Sequence, residues 1–383
     1  AVIDARPALD PRRTGVGVYT QQLIRHLPHA DTGSEYVAWY LHAKGLFRHK
    51  SFFAGVAATN LTERASRFPA RVFGPVSSRL GVPRIEWSVS FDVLLATNFL
   101  PPATHRPGVV MVVHDLAYEH LPDTAPHMNG RWRRAFDRWL TRAAGVIVPS
   151  SSTKEDLVAR HPVDPDRVWV TPLGVDAAQF APAPEDAIAA VRRKFGVDGP
   201  YALFVGGIEP RKNLDALVQA FAMLEPGTRL VIAGGPVRWD PGASDRLDAT
   251  IAGLAPAARA RIVRTGYVGD KDKVALLTGA TLLAYPSLYE GFGFPVMEAF
   301  AAGIPVLTSN VSSLPEVAGE AALTVDPADA KTIADGLAQL FDDGDLRAML
   351  AAKGVTRAAK FTWEATAKAT AEALHRAYDL AAG

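Results

Sequence analysis

Two glutamates eight positions apart are the residues of this sequence best suited to chemistry. Glu290 and Glu298 lie on either side of the glycine-bearing run 291–294. An ionised carboxylate accepts hydrogen bonds from two adjacent hydroxyl groups at once, so such a pair suits a polyhydroxylated ligand such as a sugar or a ribose. A solvated pair on the surface is the alternative, and the neighbouring residues decide between the two.

The residues around this pair predict a strand, a glycine turn and a helix, in that order. Leu282–Tyr285 is an apolar run that predicts a buried strand, and Gly291 and Gly293 predict the turn. Glu290 is then expected in the loop and Glu298 in the helix. The N-terminus of such a helix directs backbone N–H groups and a positive dipole end toward a phosphate or a sugar oxygen. These surroundings favour a binding site.

A second segment, 205–213, combines glycines with two cations. Gly206 and Gly207 allow a close backbone approach, and Arg211 and Lys212 lie where a helix is predicted to begin. Cations are unfavourable in the first turn of a helix, because the helix dipole prefers anions there. The segment therefore predicts a diphosphate site that needs no metal.

Eight short apolar runs bounded by Gly, Pro or Asp predict strands that are buried on both faces. The runs are 93–96, 109–113, 146–148, 168–171, 202–205, 230–233, 282–285 and 305–308. Helical stretches alternate with them, including 213–223, 270–278 and 328–341. This alternation predicts an α/β fold built from doubly wound parallel sheets.

The length of 383 residues favours two domains, because single cores rarely grow beyond about 250–300 residues. The proline-bearing stretch 181–184 precedes the second series of strands and helices, and we place the boundary after residue 172. Residues 1–172 carry 21 Lys and Arg against 15 Asp and Glu, whereas the remainder carries 20 against 25. The excess of positive charge in the first half indicates an anionic partner or a solvated basic surface.

The composition excludes several classes of protein. No apolar stretch is long enough to span a membrane, and no secretory leader is visible. The sequence has Cys 0, which excludes disulfides and thiolate chemistry and is compatible with a cytoplasmic location. The ten histidines show no metal-ligand spacing, so we expect no bound metal.

The segment 290–298, together with Pro315-Glu316-Val317, resembles the glutamate–seven residues–glutamate signature of the family 4 glycosyltransferases. The similarity extends over nearly the whole chain. It implies a GT-B fold, in which two doubly wound Rossmann-like domains face a central cleft. Residues 1–172 would form the N-terminal acceptor-binding domain, and the C-terminal helix 364–383 would pack back on it. Residues 173–363 would form the domain that binds a nucleotide sugar.

The resemblance also implies a role for each candidate residue. Glu290, Arg211, Lys212 and His114 would be catalytic, with the two cations neutralising the departing pyrophosphate and His114 contacting the transferred sugar. The donor would be bound by Gly17, Gly206, Gly207, Tyr267, Val268, Gly291, Phe292, Gly293, Phe294 and Glu298. The family's members retain the anomeric configuration of the donor, and the leaving phosphate would accept the acceptor's proton.

Among donors, the resemblance favours GDP-mannose, because the motifs look most like those of bacterial mannosyltransferases of polysaccharide assembly. UDP-glucose and UDP-N-acetylglucosamine stay open as donors. The expected acceptor is a glycan or a lipid-linked glycan, and neither a cofactor nor nucleic acid is expected. The basic helical stretch 131–142 is either a core-packed helix with a solvated face or a peripheral contact with anionic membrane.

Three other classes stay open at this point. A nucleotide-sugar epimerase would bind the same donor without using an acceptor. A phosphorylase of similar architecture would need pyridoxal phosphate. A non-catalytic sugar-binding protein is the third alternative, but it would have little use for Arg211, Lys212 and Glu290 together.

Overall fold

The computed structural model describes residues 1–9, 14–41, 52–53, 55–66, 82–122, 128 and 130–383. These residues form two compact units. The first unit consists of the described residues of Ala1–Leu116, Met128–Gly174 and Trp363–Gly383, and the second of those of Ala117–His127 and Val175–Thr362.

Among the described residues of the first unit, seven strands form a parallel sheet in the order β3-β2-β1-β4-β5-β6-β7. The strands are β1 (Val2–Asp4), β2 (Tyr36–Leu41), β3 (Leu61–Ser66), β4 (Leu94–Ala96), β5 (Val109–Val112), β6 (Gly145–Val148) and β7 (Val168–Val170). The central strands β1, β4, β5 and β6 are buried along their whole length, as their apolar sequences predict.

In the described part of the second unit, six strands form a parallel sheet in the order β10-β9-β8-β11-β12-β13. The strands are β8 (Tyr201–Val205), β9 (Arg229–Ala233), β10 (Ile262–Gly266), β11 (Leu282–Tyr285), β12 (Val306–Ser309) and β13 (Ala322–Val325). Each sheet begins with the strand order 3-2-1-4-5-6 that is typical of doubly wound nucleotide-binding folds. The predicted α/β class with parallel, doubly wound sheets is confirmed.

Helices connect these strands. Those of the described residues are α1 (Gly15–Ala30), α2 (Ala117–His120), α3 (Gly130–Arg142), α4 (Ser151–Arg160), α5 (Glu185–Phe195), α6 (Leu214–Ala222), α7 (Ala243–Ala252), α8 (Pro256–Arg259), α9 (Asp270–Thr278), α10 (Phe294–Ala301), α11 (Leu314–Ala318), α12 (Ala330–Asp342), α13 (Gly344–Ala358) and α14 (Trp363–Ala382). Short 3-10 turns occur at Arg6–Leu9, Ile85–Trp87, Pro165–Arg167, Pro210–Lys212 and Gly319–Ala321. Within the described ranges, no helix combines the length and hydrophobicity needed to cross a bilayer.

All eight apolar runs singled out in the sequence lie on strands, and the short N-terminal strand β1 was predicted at Val2–Asp4 as well. The other four strands of the described residues were not predicted. Three of these, β3, β10 and β13, are edge strands that are partly exposed. Their sequences include polar residues such as Glu63 and Arg264, so they lack the continuous apolar run of a central strand. The fourth, β2, is largely buried and was missed despite its apolar sequence.

The C-terminal helix α14 belongs to the first unit, where it packs along α1. At its N-terminus, the Trp363 ring lies 6.4 Å from the ring of Tyr19. The Thr366 hydroxyl donates to the carbonyl oxygen of Pro172 at 2.8 Å. The chain therefore returns to the first unit after completing the second.

Helix α13 supports helix α10, which carries Glu298. The two helices pack closely because Gly354 has no side chain: a Cβ atom at this position would lie 2.7 Å from Cδ1 of Phe300. Phe300 is itself fully buried. The space at Gly354 is therefore already filled by an aromatic ring of the neighbouring helix.

Gly354→Ala should consequently lower the free energy of unfolding by about 1–3 kcal/mol, the usual cost of overpacking a filled core. Urea unfolding followed by circular dichroism measures this change. Gly344→Ala is the matched control, because a methyl group at this other glycine of α13 meets the flexible end of Arg347 at 3.6 Å. Equal stability of the two variants would contradict the close packing of α13 on α10.

Candidate active site

Two loops that follow the neighbouring strands β8 and β11 are hydrogen-bonded to each other. The Leu288 amide donates to the Arg211 carbonyl oxygen at 2.8 Å. The Arg211 side chain donates in return to the carbonyl oxygen of Tyr289 at 3.2 Å. The side-chain amide of Asn213 donates to the carbonyl oxygens of Pro286 at 3.1 Å and Pro327 at 2.7 Å. These bonds hold the Arg211-Lys212 turn against the loop that contains Glu290.

Glu290 is buried, and both of its carboxylate oxygens are hydrogen-bonded. Arg211 Nη1 donates to Oε2 at 2.6 Å, and Lys212 Nζ donates to Oε1 at 2.5 Å. Tyr285, the last residue of β11, donates to the same Oε1 at 2.8 Å. Lys212 Nζ also donates to the Tyr285 hydroxyl at 2.6 Å. The single hydroxyl proton of Tyr285 is therefore directed at Glu290.

The charges of this cluster balance. Burial alone raises the pKa of Glu290, but the positive charges of Arg211 and Lys212 outweigh it and lower the pKa to about 2. Glu209, also buried, forms a second ion pair with Arg211 at 2.8 Å. Two cations thus face two carboxylates, and Glu290 is ionised at neutral pH.

The backbone around Glu290 is fixed by two serines from the loop after β12. The Glu290 amide donates to Ser312 Oγ at 3.0 Å, and Ser313 Oγ donates to the Glu290 carbonyl oxygen at 2.8 Å. Ser312 has a φ of 55°, in the left-handed region that non-glycine residues seldom adopt. Strain of this kind persists only where the surroundings enforce it. A third loop therefore positions the same carboxylate.

Glu298 lies on helix α10 in a separate network. Its Oε1 accepts a hydrogen bond from Lys273 Nζ, on helix α9, at 2.8 Å. Burial raises the pKa of Glu298, and Lys273 opposes this shift. The two glutamates thus differ in charge environment, although they are close in sequence.

The predicted glycines have structural roles that can be read directly. Gly293 has a φ of 107° and precedes α10, and a Cβ atom there would lie 2.8 Å from Leu314. A Cβ atom at Gly234 would lie 1.8 Å from the carbonyl oxygen of Gly206, so the loops after β8 and β9 are in backbone contact. A Cβ atom at Gly207 would lie 2.8 Å from Val237. Close packing of the loops explains these glycines without a ligand.

The other predicted donor-binding residues of the second unit lie on two loops. Gly291 and Phe292 precede α10, and Phe294 is its first residue. The Phe292 ring is buried and packs edge-on against Phe294 at 6.0 Å. Tyr267 and Val268 directly follow β10, and Tyr267 is 67% exposed.

Gly17 and His114 lie in the first unit. The Gly17 amide donates to Thr14 Oγ1 at 3.1 Å as part of the N-cap of α1, so it would have to give up this bond to contact a phosphate. His114 follows β5, and its Nε2 lies 2.7 Å from the carbonyl oxygen of Thr97. Burial lowers the pKa of His114. The neutral ring therefore donates through Nε2 and presents Nδ1 as an acceptor.

The structure thus brings together Arg211, Lys212 and Glu290 from two distant segments of the chain. The sequence motifs had assigned these three residues to one site. Sequence reasoning missed Glu209 and Tyr285, which belong to the same cluster. Both could have been found: Glu209 lies in the cationic motif itself, and Tyr285 ends the predicted strand beside it.

Comparison with known proteins decides the family. Glycosyltransferase Family 4 matches residues 13–179, and Glycosyl transferases group 1 matches residues 188–357. The O-antigen chain mannosyltransferase B of Escherichia coli is 31% identical to this chain, over 70% of this chain and 69% of its own length. This chain belongs to glycosyltransferase family 4.

Other relatives of this glycosyltransferase differ in their reactions. A D-inositol 3-phosphate glycosyltransferase of Corynebacterium efficiens is 33% identical over 61% of the chain and 57% of that protein. The matched regions therefore cover 69% and 57% of the lengths of these two relatives. They establish a transferase without deciding its donor.

Solved structures of the same class support the fold of this family 4 enzyme. HepE of Anabaena, crystallised with UDP and glucose, superposes with a TM-score of 0.73 at 17% identity over 96% of each chain. WaaG, a glycosyltransferase involved in lipopolysaccharide biosynthesis, gives a TM-score of 0.68 at 17% identity over 97% of this chain and 98% of its own. The predicted GT-B fold is confirmed.

The buried Glu290 of this enzyme makes its stability depend on pH. The pKa of Glu290 falls from its ordinary value of 4.5 to about 2 on folding. Its stabilising contribution is therefore present above pH 4.5 and is lost as the pH falls toward 2. Glu290→Gln should flatten the fall in unfolding free energy across this range, as measured by urea titrations at a series of pH values.

A control for this experiment is Asp335→Asn, which removes an exposed carboxylate paired with Lys331. It should leave the pH dependence close to that of the wild type, since exposed ion pairs contribute little. If Glu290→Gln also follows the wild-type curve, Glu290 is not held ionised by its buried partners.

Proposed function

We propose that the protein transfers a hexose from a nucleoside-diphosphate sugar to a glycan or lipid-linked acceptor, with retention of anomeric configuration and without a metal ion. The observation that supports this most directly is the buried cluster of Arg211, Lys212 and Glu290. It places two cations and an ionised carboxylate side by side at the carboxyl ends of neighbouring parallel strands, where doubly wound sheets bind ligands.

Arg211 and Lys212 would bind the donor diphosphate. In the free protein their charges are balanced by Glu209 and Glu290, and the Arg211 side chain keeps 17% of its surface exposed. A bound diphosphate would supply anionic oxygens that can accept hydrogen bonds from Arg211 and Lys212. During transfer, the charge that grows on the leaving phosphate would be stabilised by the same two cations. The leaving phosphate would take the acceptor's proton, so that no separate general base is required.

The remaining donor contacts follow the family resemblance. Glu290 would accept hydrogen bonds from hydroxyl groups of the sugar, and Glu298 from those of the ribose. The backbone amides of Phe292, Gly293 and Phe294, at the start of α10, would face the sugar and its phosphate. Gly206 and Gly207 would border the diphosphate, and the backbone of Tyr267 and Val268 the base.

Two of the proposed contacts lie in the first unit. His114 would accept a hydrogen bond at Nδ1 from a hydroxyl group of the transferred sugar, because Nε2 is already hydrogen-bonded to Thr97. Gly17 would approach the donor phosphate. Both contacts stay predictions, and the Gly17 amide, which already donates to the N-cap residue Thr14, is a weaker candidate than the histidine.

GDP-mannose is the donor we propose. Two mannosyltransferases of Escherichia coli support this choice of donor. They are the O-antigen chain mannosyltransferase B, at 31% identity, and the serotype-specific mannosyltransferase WbdA, at 30%. The inositol-phosphate glycosyltransferases and the UDP-bound HepE structure are reasons to test UDP sugars beside it.

We propose that the acceptor binds the first unit, on the cytoplasmic side of a membrane. In helix α3, Phe136 and Leu140 are buried, while Arg134 and Arg138 are exposed. This arrangement fits a core-packed helix, and it leaves a basic surface for anionic lipid. Co-sedimentation with phosphatidylglycerol vesicles tests that contact: failure to sediment at low salt would exclude it.

A thermal-shift panel tests the donor. GDP, UDP, ADP and their common sugar conjugates are added to the protein in EDTA, each at about a hundredfold its expected dissociation constant. A bound nucleotide should stabilise the protein by roughly 2.7 kcal/mol, and we expect GDP and GDP-mannose to do so. Stabilisation by UDP and its sugars alone would overturn the mannosyl donor. No stabilisation by any nucleotide would overturn the proposed function.

Turnover tests the role of Glu290. Glu290→Gln keeps the size of the side chain but removes its charge, and we expect it to lower kcat about 100-fold or more, in line with the loss of a preorganised polar group. Transfer to a mannose-terminated oligosaccharide is followed by chromatography, and NMR of the product reports the anomeric configuration. Glu320→Gln, at a surface glutamate that is 91% exposed, should retain full activity. Free sugar or an epimerised donor without transfer would favour an epimerase.

A further inference from the structure

We infer that Lys273 is a positioning residue for the nucleotide: it keeps Glu298 in the carboxylate form that accepts hydrogen bonds from the ribose. This inference rests on the proposed role of Glu298 and adds a residue that neither the sequence motifs nor that proposal includes.

The ion pair between the two residues is well defined. Lys273 Nζ donates to Glu298 Oε1 at 2.8 Å, and the two side chains are 20% and 16% exposed. The ammonium group also lies 4.9 Å from the centre of the Phe180 ring, which is buried. The aromatic ring and the carboxylate together hold the lysine in place, since a ring face attracts a cation.

Glu298 depends on this lysine for its charge. Among the described residues, the groups that act on Glu298 are Lys273 and Asp270, both in the first turn of α9. Burial raises the pKa of Glu298 above its ordinary value, Lys273 limits this rise, and Asp270 adds to it. Without the lysine, burial and the aspartate would act together and favour the protonated acid.

Protonation matters because of what a ribose needs. The two adjacent hydroxyls of a ribose both donate to an ionised carboxylate, whereas a carboxylic acid carries a proton on one of its oxygens and loses part of that acceptor capacity. If Lys273 maintains the charge, its loss should weaken nucleotide binding more at low pH than at high pH. A lysine with only a packing role would give the same loss at every pH.

The experiment measures binding of GDP-mannose and of UDP-glucose by isothermal titration calorimetry between pH 6 and pH 8.5. Lys273→Met should bind the nucleotide sugar about tenfold more weakly at the low end of this pH range than at the high end. A tenfold change in affinity is what the loss of one charge-assisted hydrogen bond would cause. Over the same range the wild-type affinity should change much less. Lys273→Arg, which keeps the positive charge, should restore the wild-type pH profile.

Lys194→Met is the matched control. Lys194 forms a similar ion pair at 2.6 Å with Asp272, on the same helix, but its side chain is 58% exposed. This variant should bind like the wild type at every pH, and melting temperatures show whether each variant is folded.

Three results would overturn the inference. The first is a loss of nucleotide-sugar affinity in Lys273→Met by the same factor at every pH, since this would indicate a packing role or a direct ligand contact. The second is wild-type affinity in this variant at every pH. Absence of binding to the folded wild-type protein would overturn the proposed function, and this inference with it.

Discussion

The candidate site depends on one buried carboxylate and the two cations that compensate it. Removing an isolated charge from water is costly, and a buried ion is tolerated only where partners supply charge and hydrogen bonds. Glu290 obtains both from Arg211, Lys212 and Tyr285. The three partners come from two segments that are more than seventy positions from each other in the sequence, so the loops must be held in register by the sheet beneath them.

The sheet of the second unit provides that register. Strands β8 and β11 are neighbours in space although β9 and β10 lie between them in sequence, which is the crossover typical of a doubly wound sheet. Their carboxyl ends therefore deliver the cationic turn and the Glu290 loop to one place. The backbone contact between Gly206 and Gly234 extends the same arrangement to the loop after β9.

Most of the strands and the central residues of the candidate site could be predicted from the sequence, for a physical reason. Strands in the middle of a parallel sheet are buried on both faces, so each central strand appears as an apolar run; edge strands such as β3 and β10 are half solvated and do not. Arg211, Lys212 and Glu290 were predictable because their residue types and flanking glycines are unusual together. Glu209 and Tyr285 lie beside these motifs in the sequence, but their contacts with the motif residues depend on which loops meet in space. The same is true of the ion pair between Lys273 and Glu298.

At Asn213, the backbone conformation and the side-chain hydrogen bonds are two separate requirements. Its φ of 59° lies in the left-handed region, which glycine adopts freely and asparagine tolerates. A relative with glycine here would keep the turn after Arg211-Lys212 but would lack the amide that reaches Pro286 and Pro327. In such a relative the cations would be tethered to the glutamate loop by fewer bonds. The identity of this one residue therefore indicates how rigidly a member of the family holds the cations of this turn, for which we propose phosphate binding, before a donor arrives.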